Sequence, residues 1–484
     1  MTQLTYTGSR NAFDKAGVCF VLFAAGIAIS IGCLTALLPA DSVFVVIAAP
    51  FLIFGLIHKR FLITFVILGF VLFSRGFAHL NVKIGFLPVY ITEAVLMITI
   101  GGLFLDRLIT GDKISYFQKI PLKKEFIFFY LIGFICLVRG LLLYSPVLTF
   151  RHSAIIYYSV FYFLMPILFN TLEKIEKLLK LIFIACLIVL MAYLLKVKLQ
   201  INEYGALGDF SYFYLSLVMI FELFYLRFIK NRLYRNLLIL IILLQQSFLT
   251  LIADCHASWV ALLASLCFFF FLSVKRGKLK KKIAMAFASG LLIGIILLGS
   301  IAVTKPALIR HLSKEAASII FFNRMKTSAA GNARYRLVVW HEMLKDISSK
   351  PVLGWGFGKA FLPALLEERG WLDSEARERA WVEPHNSVLS LTYKTGLIGL
   401  IAFLLIIFSF FRRIIGFIKY ECRDEKIKAY ATALLLCVVY IFVLSFFGVV
   451  LESPYMGSLL WIAMGLSVAL VSIYRENKLQ EEYV

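Results

Sequence analysis

All seven histidines in this 484-residue chain lie in or beside breaks between long apolar runs, and six of them, His79, His152, His256, His311, His341 and His385, fall in the breaks that the charge pattern below assigns to the outer side. Histidine titrates near neutral pH and is the usual proton acceptor in catalysis, although any single one is more often a structural residue. The same breaks hold arginines, whose planar fork suits bidentate binding of phosphate oxygens. Arg334 and Arg336 stand just ahead of Trp340, and Arg151 stands between two runs. Two residues apart, Arg334 and Arg336 face different parts of a helix surface, and a solvated face is the plain alternative for the pair. Arg139 lies inside an apolar run. An arginine there is a functional candidate by default, or else a stem that snorkels to the headgroups. One further polar gap reads Asp254-Cys255-His256, in which Asp254 could hold His256 protonated. No metal is expected. There is no CxxC pair, and Asp373, Glu375, Glu378 and Glu383 interleave with Arg377 and Arg379 as surface ion pairs do. Gly354-x-Gly356-x-Gly358 follows no strand, so it is a turn segment and not a dinucleotide fingerprint.

The elements that must position these residues follow from composition. The chain is 61% hydrophobic and only 16% charged, where soluble domains run about 45–50% and 25%. Apolar runs occupy 16–38, 43–57, 61–74, 91–105, 126–143, 154–171, 178–197, 211–226, 237–253, 257–274, 283–303, 387–411, 429–451 and 455–474. They read as transmembrane helices, and because three are short the expectation is 12–14 spans in an all-α polytopic fold. The first run is too long for a signal-peptide core and reads as an uncleaved span.

The net charge of +22 tests that topology. With a cytoplasmic N-terminus, the predicted inner segments hold 30 Lys and Arg and the short outer loops hold five. That is the positive-inside bias, and it puts both termini on the cytoplasmic side. The run Lys275–Lys282 then reads as an orientation signal touching anionic lipid, and nucleic acid drops out as a partner. The exception is 304–386, a long outer loop. Leu337, Trp340, Leu344 and Ile347 recur at helical spacing there, Ser348-Ser349-Lys350-Pro351 ends that helix, and Ser374 begins another leading to Trp381. The loop therefore reads as a helical cap. The resulting divisions are 1–236, a transmembrane half; 237–474, a second half that includes the loop; and 475–484, a cytoplasmic tail.

Within the second half, an ordered set of motifs carries a resemblance. Arg336 precedes Trp340; Pro351-Val-Leu-Gly354-Trp-Gly356 follows; then come His385-Asn386, nine residues, and Gly396-Leu-Ile-Gly399. Leu451-Glu452-Ser453-Pro454 precedes a last span containing Trp461. This set resembles the O-antigen ligase and polymerase superfamily of bacterial envelope glycan enzymes. The resemblance implies a GT-C-like fold in the inner membrane, acting on the periplasmic face without cofactor. The donor it implies is a glycan on undecaprenyl diphosphate, and the acceptor is a sugar hydroxyl of lipid A–core or, for a polymerase, a second lipid-linked glycan. It makes His385 the base, with Asn386 in support, and Arg336 a diphosphate ligand. Relatives often carry a second phosphate-binding arginine where this chain has Asp254-Cys255-His256. Arg151, Arg139 and His256, the last supported by Asp254, are the candidates to replace it, and Arg334 is a further diphosphate candidate beside Arg336. A flippase is the remaining alternative, although the chain shows no related halves.

Overall fold

A computed structural model describes residues 54–84, 87–110, 120–198, 211–226, 228–251, 256–273, 328–364, 366 and 381–483. Its elements are α1 (Lys59–Ala78), β1 (Asn81–Ile84), β2 (Leu87–Tyr90), α2 (Ile91–Thr110), α3 (Lys123–Leu143), α4 (Pro146–His152), α5 (Ala154–Tyr158) and α6 (Phe161–Leu168). They continue as α7 (Leu172–Lys198), α8 (Ser211–Tyr225), α9 (Arg232–Leu251), α10 (His256–Ser273), α11 (Ser328–Ser349), α12 (Ser387–Gly416), α13 (Glu425–Leu444) and α14 (Met456–Tyr483). A π turn, Phe417–Glu421, extends α12. The spans expected at 16–38 and 283–303 lie outside the described residues, as do Asp254, Asp373, Glu375 and Glu378.

The fold is helical and polytopic, and a helix satisfies its backbone groups within its own segment, as lipid requires. Among the described residues, five helices are long and apolar enough to cross a membrane: α1, α3, α12 with its π turn, α13 and most of α14. Three shorter apolar stretches accompany them.

The chain divides into two compact units. The first takes Met1–Ile63 and Ala94–Lys113. Within it the buried Lys59 ammonium pairs with Asp106 at 2.8 Å. Gly102 leaves room for the lysine stem, since a Cβ there would sit 2.5 Å from Lys59 Cε. The second takes Thr64–Glu93 and Ile114–Val484 and holds everything described below.

At the heart of the second unit Trp461 on α14 is fully buried. Its ring meets Phe126 at 5.6 Å, Phe129 at 6.5 Å and Phe403 at 6.1 Å, which gathers α3, α12 and α14. Beside them Ser258 Oγ meets Tyr440 Oη at 2.6 Å and Ser216 Oγ at 3.0 Å. That chain of hydroxyls joins α10, α13 and α8, a link worth about 1 kcal/mol per bond between membrane helices.

Three local features differ from expectation. Within the all-α fold one short antiparallel hairpin stands unannounced, β1 with β2, paired from Asn81↔Tyr90 to Ile84↔Leu87. The span read at 154–171 is broken between Tyr158 and Phe161. There Ser159 Oγ bonds back to the Ile156 carbonyl at 2.6 Å and also meets Tyr130 Oη at 2.8 Å, a competition with helix bonding that short hydroxyl side chains offer. The helix expected in the outer loop is α11, but its buried stripe is Val339, Met343 and Ile347, while Leu337 and Leu344 are exposed.

Candidate active site

The apolar stripe of α11 packs with Phe361, Leu366, Val382 and Tyr393 into one small core. This packing brings α11 against the entry to α12. On α11 the side chains of Arg334 and Arg336 are both half-buried. One turn beyond Arg336, Trp340 Nε1 donates to the Pro384 carbonyl at 2.7 Å. The next residue, His385, takes a left-handed backbone with φ 48°. That conformation is uncommon for a residue with a Cβ, though histidine is among those that tolerate it. It is held from both sides. Trp340 fixes Pro384 before it, and Asn386 after it caps α12, its Oδ1 accepting from the N–H groups of Val388 and Leu389 at 3.0 Å each.

His385 is itself half-buried, and its imidazole titrates below the ordinary 6.5. Burial is the main cause, because it penalises the charged ring, and the positive charge of Arg336 adds to it. A histidine of this kind is neutral at physiological pH and keeps a lone pair to accept a proton.

A second relationship ties two distant motifs together. Inside α12, Gly396 breaks the helix with φ 68°. The break interrupts the bonds that Leu397 and Ile398 would make to Tyr393 and Lys394. The Pro351–Gly358 loop replaces them in both directions. Trp355 and Gly356 donate to the carbonyls of Tyr393 and Lys394, each at 2.9 Å. Leu397 and Ile398 donate instead to the carbonyls of Pro351 (2.8 Å) and Val352 (3.3 Å). The approach is too close for side chains. A Cβ on Gly396 would strike the Val352 carbonyl, and one on Gly354, itself at φ 61°, would sit 2.5 Å from Gly396 N. The glycines of the loop and of α12 are therefore two halves of one backbone junction.

Around that junction lie one of the candidate cations and several groups to which the sequence gives no role. Arg139 Nη1 donates to the Gly354 carbonyl at 2.9 Å, so this candidate cation braces the loop. Buried His152 accepts the Gly358 N–H at Nδ1, at 3.2 Å, which leaves its proton on Nε2. Its ring meets Trp381 edge-on at 5.7 Å. Burial first, and the charge of Lys394 second, hold His152 well below its ordinary titration range. Lys394 and Glu452, both largely buried, pair at 2.5 Å. Ser390 Oγ donates to the other Glu452 oxygen at 2.7 Å. One helical turn earlier, Ser387 Oγ donates to the Gly448 carbonyl (2.9 Å) and accepts from the N–H of Val450 (2.7 Å), fastening the loop that carries Glu452. A lysine embedded in an apolar run was the available signal for this pair.

Arg151 is placed differently. Its guanidinium lies over the Tyr90 ring, 3.6 Å from the centroid. Nearby, Glu93 accepts from Tyr157 Oη at 2.6 Å and from the Tyr90 N–H at 3.0 Å. Arg151 precedes His152 in sequence and so neighbours the loop junction, while Arg336 belongs to α11. His256 opens α10, and its side chain, like Asp254, lies outside the described residues. The structure thus brings His385, Asn386 and Arg336 together, puts Arg334 on the same helix as Arg336, and gives Arg139 and Arg151 partners within the protein. A neutral imidazole under the charge of a neighbouring guanidinium can take a proton from a hydroxyl while the cation holds an anionic group.

Comparison with known proteins bears on the same region. Residues 237–404 match the family model described as O-Antigen ligase. That span runs from α9 into α12 and takes in Arg334, Arg336, the glycine loop, His385 and Gly396. A protein of Rickettsia felis, named provisionally as a polysaccharide ligase, is 32% identical over 84 residues, 17% of this chain and 21% of its own length. One of Rickettsia conorii, also named provisionally as a polysaccharide ligase, is 31% identical over 101 residues, 21% of this chain and 24% of its own length. The chain matches about a quarter or less of the length of these curated relatives. Together the comparisons support the O-antigen ligase superfamily.

Proposed function

We propose that this chain, whose 237–404 region matches the O-antigen ligase family, is a membrane enzyme that transfers a glycan from undecaprenyl diphosphate to a sugar hydroxyl of lipid A–core. The transfer takes place on the periplasmic face of the inner membrane. The observation that carries this reading is the joining of His385 and Arg336 through Trp340, inside the matched region.

The chemistry is direct displacement. The acceptor hydroxyl is a weak nucleophile, and His385 accepts its proton as the new C–O bond forms at the anomeric carbon. The bond to the diphosphate breaks, and the diphosphate leaves with the electron pair. Already a stable anion, it calls for cations and not for a general acid. Arg336 supplies one, with Arg334 on the same helix beside it. The direct attack inverts the anomeric centre. His385 then releases its proton to water at the outer surface. The lowered titration range favours this role, since the ring is neutral when the acceptor arrives and gives the proton up readily afterwards. Asn386 acts through the backbone: by capping α12 it holds the turn that carries His385.

An electrophoretic profile of envelope glycans from a strain lacking the chain tests the reading. Bare core together with stored lipid-linked polymer is the expected result. Core bearing a single repeat would assign polymerase activity instead, and lipid-linked glycan held on the inner face would assign transport.

A further inference from the structure

Away from His385, three basic side chains converge on the glycine loop. Lys350 Nζ stands 3.9 Å from the centroid of the Trp355 ring and Lys359 Nζ 5.4 Å from the same centroid, so the two ammonium groups are at most about 9 Å apart. Lys359 also stands 5.9 Å from the Tyr144 ring. Arg139 reaches the residue before Trp355, donating one N–H to the Gly354 carbonyl. Among the described residues, no carboxylate lies within ion-pair distance of any of the three. Asp346 feels the charge of Lys359 without pairing to it. Like charges gathered in this way repel one another and attract an anion.

Trp355 is a fixed platform for the two lysines. Its indole Nε1 donates to the Asp346 carbonyl at 3.2 Å and its backbone N–H to the Tyr393 carbonyl at 2.9 Å. Its own carbonyl accepts from Tyr144 Oη at 3.3 Å. A lysine resting on an anchored ring has its stem placed, while its three N–H groups can still donate.

The depth of the cluster is set by α3. Leu131, Phe134, Ile135, Leu142 and Leu143 are exposed on this spanning helix and form an apolar face of the kind that meets lipid. The helix ends at Leu143, and Tyr144 follows at once. Val352 and Leu353, in the loop itself, are exposed as well. The cluster therefore stands where apolar surface gives way to Trp, Tyr and basic residues, the composition of a headgroup layer. The charge bias assigns this end of α3 to the outer side, where basic residues carry no orientation signal, so their charge has another reason than that of Lys275–Lys282. Lys350 is also remote from the transfer site. It stands fourteen positions beyond Arg336 along α11, about 21 Å at 1.5 Å per residue.

We propose that Lys350 and Lys359 bind the phosphate of an anionic bilayer phospholipid, with Arg139 adding positive charge to the site. The acyl chains lie along the exposed leucines of α3 and of the loop. The bound headgroup holds the glycine loop at the membrane surface. Because that loop satisfies the break at Gly396, the lipid also steadies α12 on the side away from His385. The competing occupants are the glycan carrier and the lipid A of the acceptor, both of which carry phosphate.

Photo-crosslinking of the full-length chain in phosphatidylcholine vesicles tests this. The probes are phosphatidylglycerol and phosphatidylcholine carrying the same photoreactive acyl chain, added in equal amounts, and labelled peptides are mapped by mass spectrometry. In the wild-type chain, residues 345–360 should be labelled about tenfold more by phosphatidylglycerol, the order expected for one net headgroup charge facing two lysines. Lys350→Gln combined with Lys359→Gln should bring the two probes level there, while phosphatidylglycerol labelling at Lys275–Lys282 persists. Labelling is read without any transfer reaction, so its outcome is separate from that of the glycan-transfer reading. Equal labelling of the wild-type segment by the two probes overturns the proposal, and that comparison needs no variant to fold. An undiminished preference in the double variant overturns the assignment to these lysines. Loss of labelling on adding equimolar lipid A or undecaprenyl diphosphate gives the site to the acceptor or the donor and overturns the proposal as well.

Discussion

Trp340 and Pro384 are joined by a single hydrogen bond, from the indole Nε1 to the backbone carbonyl at 2.7 Å. On one side of that bond, one helical turn away, is Arg336; on the other, one residue away, is His385. The bond therefore sets the distance between the cation and the base. Trp340→Phe keeps the aromatic packing and removes the donor. The expected stability loss is about 1 kcal/mol, the usual net worth of such a bond. The expected loss of transfer is larger, about tenfold, because catalysis is more sensitive than stability to small misplacements. Transfer rate at matched protein level checks this, and an unchanged rate would mean that the link does not position the site.

His385 titrates below 6.5 through burial and the charge of Arg336. The base must be neutral, so transfer should persist as pH falls past 6.5 and decline only lower. Removing the repulsion lets the ring bind a proton more readily. Arg336→Gln should therefore move the acid limb of the pH–rate profile to higher pH, besides lowering the rate through weaker diphosphate binding. A lower rate with an unmoved limb would separate Arg336 from the base.

His152 offers a matching prediction for stability. It is held neutral in the fold, while in the unfolded chain it protonates near 6.5. The unfolded state then binds the extra proton, so stability should fall as pH drops below the unfolded value and hold above it. His152→Gln, which retains an acceptor for the Gly358 N–H, should flatten that dependence in thermal melts between pH 7 and 5.

The backbone junction predicts two intolerant glycines. Gly396→Ala and Gly354→Ala each place a methyl group on a left-handed backbone and against the opposing strand of the junction. The conformational term alone is about 1 kcal/mol or more, and the steric term adds to it. Both variants should melt earlier than wild type, whereas Gly416→Ala, where a Cβ meets nothing within 4 Å, should not.

The Lys394–Glu452 pair calls for a double substitution. Breaking a buried pair leaves one charge uncompensated and costs about 3–5 kcal/mol, while replacing both members by apolar residues is often close to neutral. Lys394→Met or Glu452→Met alone should sharply reduce folded protein, and the double variant should recover most of it. Failure of the double variant to recover would give the charges a role beyond packing.

Much of this was legible in the sequence, and the reasons are physical. Lipid permits few charged residues within a span, so α3, α12, α13 and α14 appear as apolar runs. The turn glycines at 354, 356 and 358 carry a local signal, and they stand where expected. The relationships that give those signals their meaning were not legible. The loop at 351–358 satisfies the break at Gly396 across some forty residues, and Lys394 meets Glu452 across 58. Nothing in either segment alone names its partner. The hairpin at 81–90 is too short to show an alternating pattern. On α11 two overlapping stripes satisfy helical spacing, and only packing against Phe361 and Tyr393 decides that Val339, Met343 and Ile347 face inward.

The most direct test of the account is transfer by the purified chain in proteoliposomes, with a glycan on undecaprenyl diphosphate as donor and lipid A–core as acceptor. His385→Ala should lose about 10²-fold or more of the transfer rate, the usual contribution of a positioned base, while still binding the donor. Transfer by His385→Ala at the wild-type rate would contradict the central claim.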